Sequence, residues 1–164
     1  PGLCSYTVTI LVKRCSEKLR LIRSVGSSAR AARTIPTEPS FFIPDILADL
    51  RTFVDRLGGL LAPELRSTLV SSVVEEIAAR FLNILINVQR SEDSLRKLKK
   101  GRQGFSIFGN NVRAPNAKVE ADDADEMRVK VQMRLDVDRL RADAIELGAR
   151  IEDCNSMVEL RRTV

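Results

Sequence analysis

Histidine and tryptophan are absent from this chain, tyrosine occurs once, and aromatic residues make up only 4% of its 164 positions. The missing histidine excludes Ser-His-Asp and Cys-His nucleophilic catalysis, imidazole general bases and histidine-bearing zinc sites. Lysine or carboxylate chemistry stays open in principle, but Ser, Thr, Lys and Asp are scattered with no triad-like constellation. The expectation is therefore a protein that is not an enzyme. The scarcity of aromatics also constrains the core, which must be built from Leu, Val, Ile and Ala. At 44% hydrophobic the chain has enough of them, and such a core suits packed helices better than a β-sandwich.

Cysteine is sparse too. Cys4, Cys15 and Cys154 have no metal-ligand spacing. On one helix Cys4 and Cys15 would lie roughly 16 Å apart, beyond the reach of a disulfide. An odd, low count suits a reducing compartment, with the thiols serving as small buried hydrophobes. The longest apolar runs span only a few residues, too short to cross a bilayer. The start, PGLCSYTVTILVKR, has no positive region ahead of its apolar patch and does not read as a signal peptide. No cofactor or metal is implied. Gly101-Arg102-Gln103-Gly104 lacks the Gly-Lys-Ser/Thr of a phosphate loop, and the acids of Glu120–Glu126 lack calcium-loop spacing.

What is present is helical periodicity. Val70, Val73, Ile77, Phe81, Ile84, Val88, Leu95 and Leu98 follow at three or four residues, with one seven-residue step over Ser91. Pro63 suits a first turn and Gly101 a far end. This predicts a helix from about Pro63 to Lys100, roughly 57 Å long. Upstream, Val8, Val12, Cys15, Leu19 and Ile22 predict a helix over Ser5–Val25, although the β-branched run Thr7–Val12 alone also reads as a strand. Gly26-Ser27-Ser28 weakens or ends that helix, and Ala29–Arg33 adds a turn. Thr34–Ser40 is a proline-bearing linker. Phe41 and Phe42 behind it are expected to plug the end of a bundle, the alternative being that the segment meets another subunit.

Ile43, Ile46, Leu47, Leu50, Phe53, Val54 and Leu57 form the apolar face of a second helix, Pro44–Leu57. The Gly58-Gly59 turn after it sets the long helix antiparallel. Gly101–Ala124 reads as a loop whose Phe105, Ile107 and Phe108 dock back on the bundle or form a short partner motif. Acids at Glu120–Glu126 then complement the start of a helix over about Asp125–Ile151. Its stripe is Met133, Val137, Leu140, Ala144, Leu147, Ile151, Cys154 and Val158, with a local break at Gly148. A last short helix, Met157–Arg162, is capped by Asn155-Ser156. The fold class is all-α: an elongated antiparallel helical bundle of four to five helices in a single domain, 1–164, with residues 101–124 as a flexible loop within it.

The net charge is +5, ordinary for a soluble domain of this size. Its densest cluster is Arg90, Arg96, Lys97, Lys99, Lys100 and Arg102, six positive side chains against Glu92 and Asp93. Basic residues in a last helical turn complement the helix dipole. The functional alternative is a landing patch for an acidic protein or an anionic membrane, where each cation contributes about 1 kcal/mol. Nucleic acid is not expected, since neither a recognition helix nor a stacking platform accompanies the charges. The candidate interaction residues are this cluster and, in the loop, Phe105 and Phe108.

Three segments carry a family resemblance: PTEPSFFIPDILADLRTF at Pro36–Phe53, SEDSLRKLKKGR at Ser91–Arg102 and QMRLDV at Gln132–Val137. In this order and spacing they resemble the C-terminal domains of subunit 2 of the conserved oligomeric Golgi complex, over most of Cys15–Gly148. Leu140 stands where that family often has an aromatic, and the N-terminal region of such a subunit is expected to lie outside this stretch. The resemblance implies a helical rod of the tethering-complex type with no catalytic site. It also implies a role in complex assembly and retrograde intra-Golgi transport, with indirect support of glycosylation. Implied partners are the other subunits of the tether, with SNAREs, Rab GTPases and coat proteins as further candidates. The implied location is peripheral, on the cytosolic face of the Golgi membrane. The alternative from the residues alone is a helical module that binds anionic membranes directly.

Overall fold

A computed structural model describes residues 2–103 and 116–164, with the side chains of 92, 93, 95–103 and 116–122 outside that description. Every regular element among the described residues is a helix, and none is a strand. Helix α1 (Leu3–Lys18) passes through a 3-10 turn, Leu19–Leu21, into α2 (Ile22–Ala31). The helix does not stop at Gly26. Ile22, Val25 and Ala29 bury one continuous face around it, which outweighs the roughly 1 kcal/mol that a single glycine costs a helix. After the linker come α3 (Ile43–Ile46) and α4 (Ala48–Leu57), separated only by Leu47, which leaves helical geometry while its side chain stays buried. The expected second helix is thus two short ones.

A 3-10 turn at Gly58–Leu60 leads to α5 (Pro63–Gln103), whose 41 residues extend about 61 Å. Helix α6 (Asn116–Glu146) returns, and after a 3-10 turn at Ile151–Asp153 the chain closes with α7 (Asn155–Thr163). Joined across their short breaks, these segments make five rods, a helical bundle as expected.

Cross-links fix the directions. Arg80 Nη1 donates to Ser16 Oγ at 2.9 Å, while Cys4 and Ser5 share a cleft with Leu65, so α1 and α5 run parallel. Ser40 meets Asp136 and Arg51 meets Glu146, so the α3–α4 rod runs alongside α6. Ser67 bonds Gly148, and Ser156 bonds Glu75, which sets α7 parallel to α5. Arg161 near the end of α7 meets Asp138, upstream of the α6 end from which α7 follows, so α7 runs back along α6 and successive rods alternate in direction.

The core is aliphatic. Ile22, Leu50, Val70, Val73, Ile77, Leu140 and Leu160 are buried around Phe81, which is fully enclosed. The α5 stripe is wider than the predicted one, since Val74, Ala78, Leu82 and Leu85 are buried as well. Ile84 and Val88 are half-buried. Along α6 and beyond, Met133 to Cys154 follow the predicted stripe, whereas Val158 is exposed. Leu57 is exposed too.

Several predicted boundaries move. Helix α6 starts directly after Pro115, a helix-start signal, rather than near Asp125, and its first turn holds no acid. The acids of Glu120–Glu126 therefore lie beyond the reach of the dipole, which fades within one turn. Asp125 and Glu126 instead pair with Arg128 and Lys130 along the helix. Residues 101–103 and 116–124 belong to helices, and the rest of the expected loop, with Phe105, Ile107 and Phe108, lies outside the described residues. Cys15 and Cys154 are buried, but Cys4 is exposed. Burial pushes the Cys15 and Cys154 thiols up to about 11.

Helix α6 ends at Glu146 rather than Ile151, and the break falls at Gly148, with φ +92°. Gly148 N–H donates to Ile145 O at 2.9 Å and Ala149 N–H to Ala144 O at 3.0 Å, the paired bonds of a Schellman ending. A Cβ at Gly148 would meet nothing within 4 Å, so the barrier to substitution is conformational. Gly148→Ala is expected to destabilise the fold by about 1–2 kcal/mol, read as a lower urea midpoint at unchanged m-value.

Candidate functional site

Polar groups inside an aliphatic bundle are the features that need explaining, and among the described residues two carboxylates are buried, Asp136 and Asp143. Asp136 projects from α6 beside the buried Met133, Val137 and Leu140. It is 0% exposed. Its Oδ1 accepts the Ser40 backbone N–H at 2.6 Å and Gln132 Nε2 at 3.0 Å, and its Oδ2 accepts Ser40 Oγ–H at 2.8 Å. Gln132 Nε2 also donates to Glu38 O at 3.0 Å. The two ends of this cluster are the proline linker Thr34–Ser40 and the QMRLDV segment. Two of the three segments that carry the family resemblance are therefore in direct contact, with a linker that has no helix of its own fastened to α6. Burial raises the Asp136 carboxyl above its usual value, and the bonds from Ser40 and Gln132 offset part of that rise.

One residue further, the phenylalanines diverge. Phe42 is 4% exposed and closes the bundle end as expected, whereas Phe41 is 86% exposed. Their rings meet edge to face at 5.6 Å. The reason is local: Phe42 begins the turn into α3, and its neighbour one position back must point the other way. Phe41 rims a cleft of about 400 Å³ between α2 and the linker, lined also by Leu21, Val25, Ile35 and Gln132.

The second buried carboxylate, Asp143, accepts Arg139 Nε at 3.1–3.2 Å and lies 3.9 Å from Arg51 Nη2. Arg51 makes paired bonds of 3.0 and 3.1 Å to Glu146. This fork holds Glu146 below its usual value and ties α4 to α6. It is structural chemistry, screened by solvent.

Glu75 on α5 serves as the cap of another helix. Its carboxylate accepts Ser156 N–H at 3.0 and 3.1 Å and Ser156 Oγ–H at 2.7 Å. The N-cap of α7 is Cys154, which makes no side-chain cap bond. The expected Asn155-Ser156 cap is thus replaced by an anion reaching across from a neighbouring helix, at the dipole's positive end. Glu75→Ala is expected to lower stability by about 1–2 kcal/mol and to speed amide exchange first in Asn155–Thr163.

Among the basic candidates, Arg90 is exposed on α5. Arg96, Lys97, Lys99, Lys100 and Arg102 lie on the same continuous helix, and their side chains are outside the described residues, as are Phe105 and Phe108. Ser40, Gln132 and Asp136 lie in segments quoted for the family resemblance but, like Glu75, were not among the candidate site residues read from the sequence. The available signal was a carboxylate and an amide four residues apart, beside the core positions Met133 and Val137. Among the described residues no group of His, Cys, Asp and Glu is placed to hold a metal ion, and no helix is long and apolar enough to cross a membrane.

The family model described as COG complex component, COG2, C-terminal, matches residues 1–137. The protein named Conserved oligomeric Golgi complex subunit 2 from Drosophila melanogaster is 25% identical over 163 residues, an alignment that covers 96% of this chain. The chain spans 22% of that relative's length. No solved structure matches the chain significantly.

Proposed function

This chain belongs to the COG2 C-terminal family of COG complex components, and from that membership we propose that it is a non-enzymatic domain of a Golgi vesicle-tethering complex. In this reading it supports complex assembly and retrograde intra-Golgi transport, and through them glycosylation. It acts peripherally on the cytosolic face of the Golgi membrane, with the other subunits of the tether as its main partners and SNAREs, Rab GTPases or coat proteins as further ones. The observation that carries the reading is the family match across residues 1–137. The junction at Asp136, where two family-like segments meet, is consistent with it. A rigid bundle with an exposed outer surface and no assembled reaction site among its described residues is suited to holding other proteins in place.

The basic cluster Arg90, Arg96, Lys97, Lys99, Lys100 and Arg102 on the far part of α5 is the proposed partner-facing patch, with Phe105 and Phe108 as proposed neighbouring contacts. Charge reversal at Lys97, Lys99 and Lys100 together is expected to reduce partner capture while leaving the far-ultraviolet helical signal unchanged; unaltered capture would remove the patch from consideration.

The test of the reading is affinity capture from cytosol with the tagged 164-residue chain at physiological salt, followed by quantitative mass spectrometry. Enrichment of other subunits of the Golgi tether is expected. Recovery of none, with binding to anionic vesicles that falls steeply as salt rises, would favour the membrane-surface alternative.

A further inference from the structure

Where α7 lies along α6, a cavity collects charge of one sign. Met157 and Leu160 bury the inner face of α7, and helical spacing sets Val158, Arg161 and Arg162 beside that face. With Arg141 of α6, Ile151 and Met157 they line a cavity of about 350 Å³. Three guanidinium groups from two helices thus share one space, and no acid is among the lining residues. The rest of the wall is apolar. Ile151 and Met157 are buried, and Val158 is 37% exposed.

Like charges brought together repel unless an anion offsets them. Arg161 has one: its Nε lies 3.4 Å from Asp138 Oδ1, with both side chains about half exposed, so the pair is screened by solvent. Arg141 and Arg162 have no carboxylate within ion-pair distance among the described residues. The dipole of α7 favours Arg161 and Arg162, which stand in its last turn. It does not account for Arg141, which lies inside α6, a helix that runs on to Glu146. Arg141 is half-buried, so it gives up part of its water and receives no anion in return.

We infer that this cavity docks an acidic segment of a partner protein, one in which Asp or Glu stands beside a bulky apolar residue such as Leu or Met. The carboxylate takes N–H bonds from Arg141 and Arg162, the forked geometry to which guanidinium is suited. The apolar neighbour covers Ile151, Met157 and Val158. A volume of about 350 Å³ is at the small end for ligand cavities and admits one or two side chains. An anionic bilayer fits less well. Asp138 stands three residues before Arg141 and Glu159 three before Arg162, so the positive charge is confined to the cavity, and of the apolar wall only Val158 is exposed. Membrane-surface helices instead spread cations along one face and apolar groups along the other. The choice of a protein as occupant rests on the functional reading above. The site itself is distinct from the basic cluster of α5: Glu75 is the α5 residue that meets α7, and Arg90 lies about 22 Å further along that helix.

The test selects a display library of short random peptides on the 164-residue chain and, in parallel, on its Arg162→Gln variant. Arg90–Arg102 is unchanged in both, so motifs captured there appear in both selections. A motif pairing Asp or Glu with Leu, Met, Ile or Phe is expected to be enriched on the parent and lost on the variant. One enriched peptide is then synthesised and titrated into each protein by heteronuclear NMR. It is expected to shift the Nε–H resonances of Arg141, Arg161 and Arg162 and the Met157 methyl. Binding should weaken about tenfold in Arg162→Gln, in Arg141→Gln, and when the peptide's acid is replaced by its amide. Arg162 is exposed, so its substitution should leave the melting midpoint within about 2 °C and carries the test even where Arg141→Gln fails to fold. No motif specific to the parent, equal affinity for Arg162→Gln, or shifts confined to other residues overturns the inference. Shifts of the same resonances by inorganic phosphate, or by vesicles of phosphatidylcholine and phosphatidylserine in equal parts, with no acidic peptide selected, overturn it in favour of a plain anion or a membrane. The selections contain no tether subunit. A selected motif without capture of tether subunits from cytosol would therefore count against the functional reading alone, and capture without a motif against this inference alone.

Discussion

Truncating Phe42 to alanine is expected to destabilise the bundle by about 3–5 kcal/mol, whereas the same truncation one residue earlier, at Phe41, is expected to cost less than about 1 kcal/mol. Phe42 is 4% exposed and packs at the entry to α3 against the main core. Its removal leaves a ring-sized cavity bounded by rods that cannot collapse into it, because each is held by its own contacts elsewhere. Phe41 is 86% exposed. All it gives up is one face of an edge-to-face pair at 5.6 Å, an interaction of about 0.5–1.5 kcal/mol at best and less in water. Urea unfolding of both variants measures the contrast directly. Equal losses would mean that the linker packs differently from the description above.

Replacing Asp136 by alanine is expected to lower stability by about 2–3 kcal/mol, because the Ser40 N–H, the Ser40 hydroxyl and the Gln132 amide lose their common acceptor. Asparagine offers one oxygen in the same place and a neutral group, so Asp136→Asn is expected to stay within about 1 kcal/mol of the parent chain. The pH dependence separates the two roles of the carboxylate. Its folded value is raised above the usual 3.8, chiefly by burial. Between those two values the folded chain keeps a proton that the unfolded chain has released, so the unfolded state binds fewer protons there and stability falls as pH rises. The contribution of Asp136 is therefore full below 3.8 and is lost as pH climbs through the folded value.

Glu146 runs the other way. Arg51 holds it below 4.5, so its contribution is present above 4.5 and lost as pH falls through the folded value. Asp136→Asn should remove the gain on acidification, and Arg51→Ala should remove the loss. A stability profile measured from neutral pH down to about 3 distinguishes them.

The long helices and their buried stripes were legible because α5 and α6 repeat apolar residues over many turns, and no competing pattern has that length. Val70 to Phe81 and Met133 to Leu147 are where the periodicity places them. The break at Gly148 was legible for another reason: a glycine inside a helical stripe costs about 1 kcal/mol and invites a local break.

Asp136 was not legible. A carboxylate in a helix is normally read as a solvent-facing position, and only the linker folding back to supply Ser40 makes this one an interior group. Glu75 hid for the same reason, since its partner Ser156 is 81 residues away. The two phenylalanines could not be told apart, because a two-residue turn has no period to assign one inward and the other outward. Helix ends were displaced at Asp125 and Ile151, where acids and a hydrophobic stripe imitate the signals of a start and a continuation.

Ser40 and Asp136 are separated by 96 residues of chain, and that spacing sets a schedule for the protein's birth. A ribosome adding about 5–20 residues per second delivers the linker roughly 5–20 seconds before the carboxylate that fastens it. Throughout that interval Phe42, Ile43 and the inner faces of the first two rods lack the α6 surface that covers them. The newborn chain is thus obliged to wait with an open seam, and slow translation through the 41 residues of α5 would lengthen its exposure to chaperones and to neighbouring chains.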